Sequence, residues 1–311
     1  MKQLTTLKWL LKREIWENKA LLIWSNLALA GVILLVTILG VFRWSSIVFA
    51  NNVPVNLQVE TVSAGVAVYF NTGFTIFALM MALTMYSYVS GSLSQERKDR
   101  SILFWKSLPI SDELTVLSKA IVALILFPLM ASVTLILTML ISMFAVYIAC
   151  AIHGVSLFAA LFGNGVLWGR IGTMCLSLPV YVAWALPTVS WIILVSSRFI
   201  RRVSLWVALI PIAIYFIFAI FNEISGLKMG TSGLAYVLFT RGLFSIVPNN
   251  WMSNFHISPA LDAVPNGAVH FGGSTDLPAW SLFASADIWL GVIAGVAMLY
   301  AAARVRRSHG E

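Results

Sequence analysis

Ala20-Leu-Leu-Ile-Trp-Ser-Asn-Leu-Ala-Leu-Ala-Gly-Val-Ile-Leu-Leu-Val-Thr-Ile-Leu-Gly-Val-Phe42 runs for 23 residues without an ionisable side chain, between Lys19 and Arg43. A helix rises about 1.5 Å per residue, so a run of this length crosses a hydrocarbon layer of roughly 30 Å. It is too long for the apolar region of a cleaved leader and is expected to anchor the chain. Five further runs are free of Asp, Glu, Lys and Arg, at about residues 64–91, 121–148, 171–197, 203–222 and 286–303, save for Asp287 near the start of the last. Pro128, Pro179, Pro187 and Pro211 fall inside them. Membrane helices tolerate such prolines, with bends as the expected result.

The whole composition agrees. Of 311 residues, 60% are hydrophobic and 10% charged, and the mean hydropathy is +0.91. A soluble domain carries about 25% charged residues. The composition excludes an ordinary soluble protein, and also disorder, which requires low hydrophobicity. The expected fold class is all-α integral membrane, a single transmembrane domain over residues 1–311, with six transmembrane helices.

Positive charge sets the expected orientation. With the N-terminus inside, the inner segments hold Lys2, Lys8, Lys12, Arg13, Lys19, Arg97, Lys98, Arg100, Lys106, Lys119, Arg198, Arg201, Arg202, Arg304, Arg306 and Arg307. Only Arg43, Arg170, Lys228 and Arg241 fall outside. Basic residues concentrate on the cytoplasmic side of membrane proteins, so both termini are expected there. The net charge of +8 is accounted for by anchors beside anionic lipid and calls for no nucleic acid.

Four segments lie outside the spans. Residues 1–19 place Leu4, Leu7, Leu11 and Ile15 on one helical face, with Trp9 and Trp16 nearby, as in a helix lying along the inner interface. Lys8 also falls on that apolar side, and its stem has to snorkel. Residues 95–111 form an inner loop, residues 198–202 a tight inner turn, and residues 223–285 a long outer connection before the last span. Within that connection, residues 234–247 are apolar but interrupted by Thr240, Arg241, Gly242 and Ser245. They are too short to span and are expected to re-enter or lie at the interface. Residues 249–278 are rich in proline and glycine and are expected to be irregular.

Several chemistries are absent. There is no Gly-x-x-x-x-Gly-Lys-Ser/Thr loop, no His-Glu-x-x-His and no Gly-x-Ser-x-Gly. His256 and His270, with Asp262 and Asp276, share the outer connection at a spacing that fits no known metal motif. Cys150 and Cys175 are too few for a disulfide framework; one bridge between them is conceivable, and two thiols in apolar surroundings is the simpler reading. The spans hold almost no acids or bases, which argues against an ion-coupled carrier or an intramembrane hydrolase. Asn71 and Thr75, four apart in the second span, share a face. They either line a substrate path or hydrogen-bond between packed helices, and the second reading leads.

The most specific segment is Gln95-Glu-Arg-Lys-Asp-Arg-Ser-Ile-Leu-Phe-Trp-Lys-Ser-Leu-Pro-Ile-Ser-Asp112. The charged cluster Glu96–Arg100 precedes the apolar run Ile102–Trp105, then Lys106 and Leu108. Pro109 stops a helix before it. Ser111 reads as an N-cap, with Asp112 and Glu113 at the positive end of the following helix. The residues predict a short inner helix whose apolar side chains rest either on the membrane interface or in a groove on another protein.

This segment, with six spans and a basic N-terminal helix, resembles the permease subunits of type-2 ABC exporters. In that family it is the coupling helix that contacts the ATPase. The resemblance implies that Glu96, Arg97, Arg100, Ile102, Leu103, Trp105 and Leu108 couple to an ATPase partner. It also implies two ATPase chains, a second permease subunit (identical or related), and an inner-membrane location. The chain itself would hold no cofactor; ATP and magnesium would sit on the partner. The outer connection resembles the family's re-entrant elements. A membrane scaffold or sensor and a lipid-modifying membrane enzyme are the competing readings.

Overall fold

The computed structural model describes residues 2–50, 55–99, 110–152, 162, 165–225, 231–248 and 279–308. Helices make up nearly all of these residues, and no strand occurs among them. Helix α1 (Lys2–Glu17) leads through a wide π-turn at Ala20–Trp24 into α2 (Ser25–Ala50). α3 (Val55–Gly91) and the short α4 (Ser94–Lys98) follow. α5 (Asp112–Ile121) continues through a π-turn at Val122–Leu126 into α6 (Phe127–Ile152). α7 (Gly165–Arg198), α8 (Val203–Ser225), the short α9 (Thr231–Ala235) and α10 (Ala286–Ser308) complete the order.

Six helical stretches are long and apolar enough to cross a membrane, which makes this a multi-pass membrane protein. They match the six charge-free runs, with one instructive difference. The third stretch runs from Asp112 to Ala149, so the helix passes unbroken through Lys119. A lysine that marks a span boundary in the sequence is here a buried helical residue, 3% exposed. The wide turn that follows has a local cause. Pro128 has no N–H for the carbonyl four residues earlier, and the ladder loosens just before it, with Phe127 N bonding the Val122 carbonyl.

α7 is the centre of the bundle. Its Val189, Ile192, Ile193 and Val195 pack with Met85 and Val89 of α3, Val116 and Ala120 of α5, and Ala302 and Ala303 of α10. α10 lies closest to α7. Gly291 and Gly295 stand four apart on α10 and let the backbones approach. A Cβ on Gly295 would come within 2.5 Å of Leu186 Cδ2 and 3.3 Å of the Leu186 backbone carbon. At the other extreme, α8 turns Ile217, Ile220, Phe221 and Ile224 outward, as suits a lipid-facing helix.

The apolar segment after α8 does fold back on the bundle. α9 passes into a π-turn at Tyr236–Arg241, and the turns beyond it pack on α7. Tyr181 donates its hydroxyl to the Ile246 carbonyl at 2.8 Å. Thr188 donates to the Arg241 carbonyl at 3.3 Å. Residues 249–278, including His256, His270, Asp262 and Asp276, lie outside the described residues.

Candidate functional site: a buried charge cluster at the stems of the inner loop

The N-terminal helix does not rest on lipid alone. It packs on α5, burying Leu10 and Glu14 at 4% and 1% exposure. Leu7, Leu11 and Ile15 are half-buried, while Leu4, Lys8, Trp9, Lys12 and Trp16 are exposed. The docking face is therefore centred on Leu10 and Glu14 rather than on the Leu4 stripe, because Glu14 finds a cation beneath it.

That cation is Lys119. Its Nζ lies 2.9 Å from Glu14 Oε1 and 3.0 Å from Glu96 Oε1. Arg13 Nη2 reaches Glu14 Oε1 at 2.6 Å and Glu96 Oε1 at 3.3 Å. Tyr88 of α3 donates its hydroxyl to Glu14 Oε2 at 2.9 Å. On the far side, Arg306 near the end of α10 divides its fork. Nη1 holds Glu96 Oε2 and Nε holds Asp112 Oδ1, both at 2.8 Å. Three cations face three carboxylates, so the core of the cluster is neutral. Buried charges persist only when so paired and hydrogen-bonded.

The electrostatics follow from this geometry. Burial pushes the Glu14 carboxyl up, but Lys119, Arg13 and the Tyr88 hydroxyl outweigh it and hold its pKa below the ordinary carboxylate value. Burial pushes the Arg13 guanidinium down, and Glu14, Glu17 and Glu96 outweigh that, leaving it more firmly protonated.

A second device fixes the start of the loop. After α3 ends at Gly91, the chain turns and begins α4. The Leu93 and Ser94 N–H groups, orphaned at that helix start, both donate to Ser196 Oγ of α7, at 3.2 and 3.1 Å. Arg97 reaches the Ser196 carbonyl at 3.4 Å. At the loop's other end Ser111 is the N-cap, its Oγ accepting from Leu114 N at 3.3 Å.

The residues singled out in the sequence thus divide. Glu96 and Arg97 lie at the first stem, turned inward to Lys119, Arg306 and Ser196. Arg100, Ile102, Leu103, Trp105 and Leu108 lie outside the described residues. Asn71 and Thr75 do share a face, where Thr75 donates to the Asn71 carbonyl at 2.9 Å. They do not line the crevice between α3, α6 and α7. That crevice is set by Phe74, Phe77, Pro128, Leu135, Met174 and Tyr181, and its volume is about 50 Å3. Cys175 is a free, exposed thiol. No group of three potential metal ligands converges among the described residues.

Sequence reading missed Glu14, Lys119, Asp112 and Arg306 as one unit. One signal was available. Glu14 stands between Leu10, Leu11 and Ile15, an acid on the apolar side of an amphipathic helix, where it needs a buried partner.

Compared with known proteins, the chain matches no family model, no curated protein and no solved structure.

Proposed function

We propose that this chain is the membrane subunit of an ATP-driven transporter, similar to the type-2 ABC exporters, and that residues 95–111 couple it to a separate ATPase. One observation carries the reading furthest. The two stems of that loop are held by a single side chain, Arg306, through Glu96 and Asp112. A loop gripped at both stems moves with α3, α5 and α10 together, as a lever on the spans must. The sequence resemblance at residues 95–111 and the missing phosphate-binding loop support the same division of labour, with ATP and magnesium on the partner. Two ATPase chains and a second permease subunit, identical or related, complete this assembly in the inner membrane.

The test lies in the loop. A buried interface tryptophan commonly loses about 2 kcal/mol on truncation, roughly thirtyfold in affinity. Trp105→Ala and Leu103→Asp are expected to insert normally, to lose the ATPase in pull-down, and to uncouple ATP turnover from transport. Wild-type assembly and coupling in both variants would overturn the proposal, as would ATP hydrolysis by the purified chain alone.

Orientation is tested separately. Single cysteines placed at positions 250 and 272 should react with an impermeant maleimide in intact cells. Those at 106 and 201 should react only after lysis. The reverse pattern would put the loop on the side without ATP.

A second reading, a scaffold or sensor that moves no substrate, draws on the size of the crevice. About 50 Å3 holds water, whereas ligand pockets run to roughly 300–1,000 Å3. ATP-dependent flux in reconstituted vesicles decides between a transporter at rest in a closed state and a permanently closed bundle.

A further inference from the structure

Arg241 is an arginine in an unusual place. It is 6% exposed, and it sits against Trp184, fourteen residues from Arg198 along α7, or about 21 Å at helical rise. That is well within a hydrocarbon layer of roughly 30 Å. Ionisable side chains at such depth are costly and are retained where they do something. The re-entrant turn carries it in, and three elements receive it. Its guanidinium lies over the Trp184 ring at 3.8 Å. Nη1 donates to the Trp184 carbonyl at 2.7 Å, and Nη2 to the Asp287 carbonyl of α10 at 3.2 Å. Its plane fills the notch left by Gly291, where a Cβ would stand 2.9 Å from Arg241 Cζ. Nε has no hydrogen-bond partner among the described residues.

None of those contacts is an ion pair. The charge is held by two backbone carbonyls and a π face, each weaker than a carboxylate. The Asp287 carboxylate, exposed on the first turn of α10, is a stronger acceptor close by. Trp184 precedes Pro187, a position where α7 can bend. We infer that Arg241, seated on Trp184 and in the Gly291 notch, is a latch that clamps the re-entrant turn across α7 and α10, and that opening of this end of the bundle passes its guanidinium to the Asp287 carboxylate. The inference rests on the transporter reading only in requiring this end to open. A fixed strut would be better served by a permanent carboxylate partner, which Arg241 lacks in these contacts.

The experiment reads the latch without any ATPase. Ser245 is fully buried beneath the turn, between Thr188 and the Arg241 carbonyl. Ser118, equally buried, lies at the opposite end. Each is replaced singly by cysteine in a chain lacking Cys150 and Cys175. An impermeant maleimide is applied to intact cells and to inverted vesicles. With Arg241 present, both positions should be protected. In Arg241→Ala, and in Gly291→Val, which fills the notch but keeps the arginine, position 245 should react at least tenfold faster while 118 stays protected. Arg241→Lys keeps the charge without the fork and should fall between. Unchanged protection at 245 in both variants would overturn the latch. Equal exposure of 245 and 118, or failure of both variants to accumulate, would show a strut required for folding, and would overturn it too. Loss of coupling in the Trp105→Ala test leaves these labelling rates untouched, so the two proposals fail separately.

Discussion

Glu14→Gln is expected to destabilise the folded chain by roughly 3–5 kcal/mol, the usual cost of leaving half of a buried pair behind. Gln keeps the shape and loses the charge that Lys119 and Arg13 both use. The check is thermal unfolding of the detergent-solubilised protein, with proteolysis of α1 as a local readout. The double variant Glu14→Gln with Lys119→Met should recover much of the loss, since it removes the stranded cation as well as its partner. Strictly additive losses would show that the two charges do not depend on each other.

The same carboxylate sets an acid limit. Its folded pKa lies below the ordinary value of about 4.5. The stability it contributes is therefore complete above that value and is lost as pH falls through the lower folded pKa. Docking of α1 should be constant through neutral pH and weaken only below about 4.5, and Glu14→Gln should flatten that limb. A loss of α1 docking between pH 6 and 8 would point to a different group.

Arg306→Ala is expected to release both stems of the inner loop at once. One charged hydrogen bond contributes about 1.5–3 kcal/mol, and Arg306 makes two, to Glu96 and Asp112. Trypsin applied to the detergent-solubilised protein should then cut at Arg100 and Lys106 at least tenfold faster, since tenfold corresponds to about 1.4 kcal/mol. Arg306→Lys is a sharper variant. An ammonium is a point charge without a planar fork, so it can hold one stem well but not both in this geometry. Partial release with Lys and full release with Ala is the pattern expected. Equal cleavage in all three chains would mean that Ser196 and Ser111 hold the stems without help.

The six spans were legible because hydrocarbon imposes a length and forbids charge, and both are local properties of a sequence. The N-cap at Ser111 was legible for the same reason, being written within four residues. The cluster was not. Lys119 meets Glu14 across 105 positions and Arg306 meets Glu96 across 210. A charge count places these residues on one side of the membrane and cannot say which touch. Lys119, which stands just before a charge-free run in the sequence, lies inside a continuous helix. Arg241 was hidden differently. Counted among the few basic residues on the sparse side, it gave no sign that its turn would carry it against Trp184. The Gly291-Val-Ile-Ala-Gly295 spacing was readable in principle as a close-packing seam. Only the fold shows that it is filled by Arg241 and Leu186 of the same chain.

The cluster also has a history in time. Glu14, Glu96, Asp112 and Lys119 all leave the ribosome early, and Arg306 follows Lys119 by 187 residues in this sequence. At translation rates of about 5–20 residues per second, that is a wait of roughly 10–40 s. Through that interval the nascent chain carries Glu96 and Asp112 without the cation that joins them. The link between the two stems of the loop at residues 95–111 is therefore made late. It forms only when α10 has arrived and turned Arg306 toward them. A chain lacking α10 would leave Glu96 and Asp112 without the arginine that joins them. Arg306 thus ties Glu96 to Asp112 only once α10 has been made.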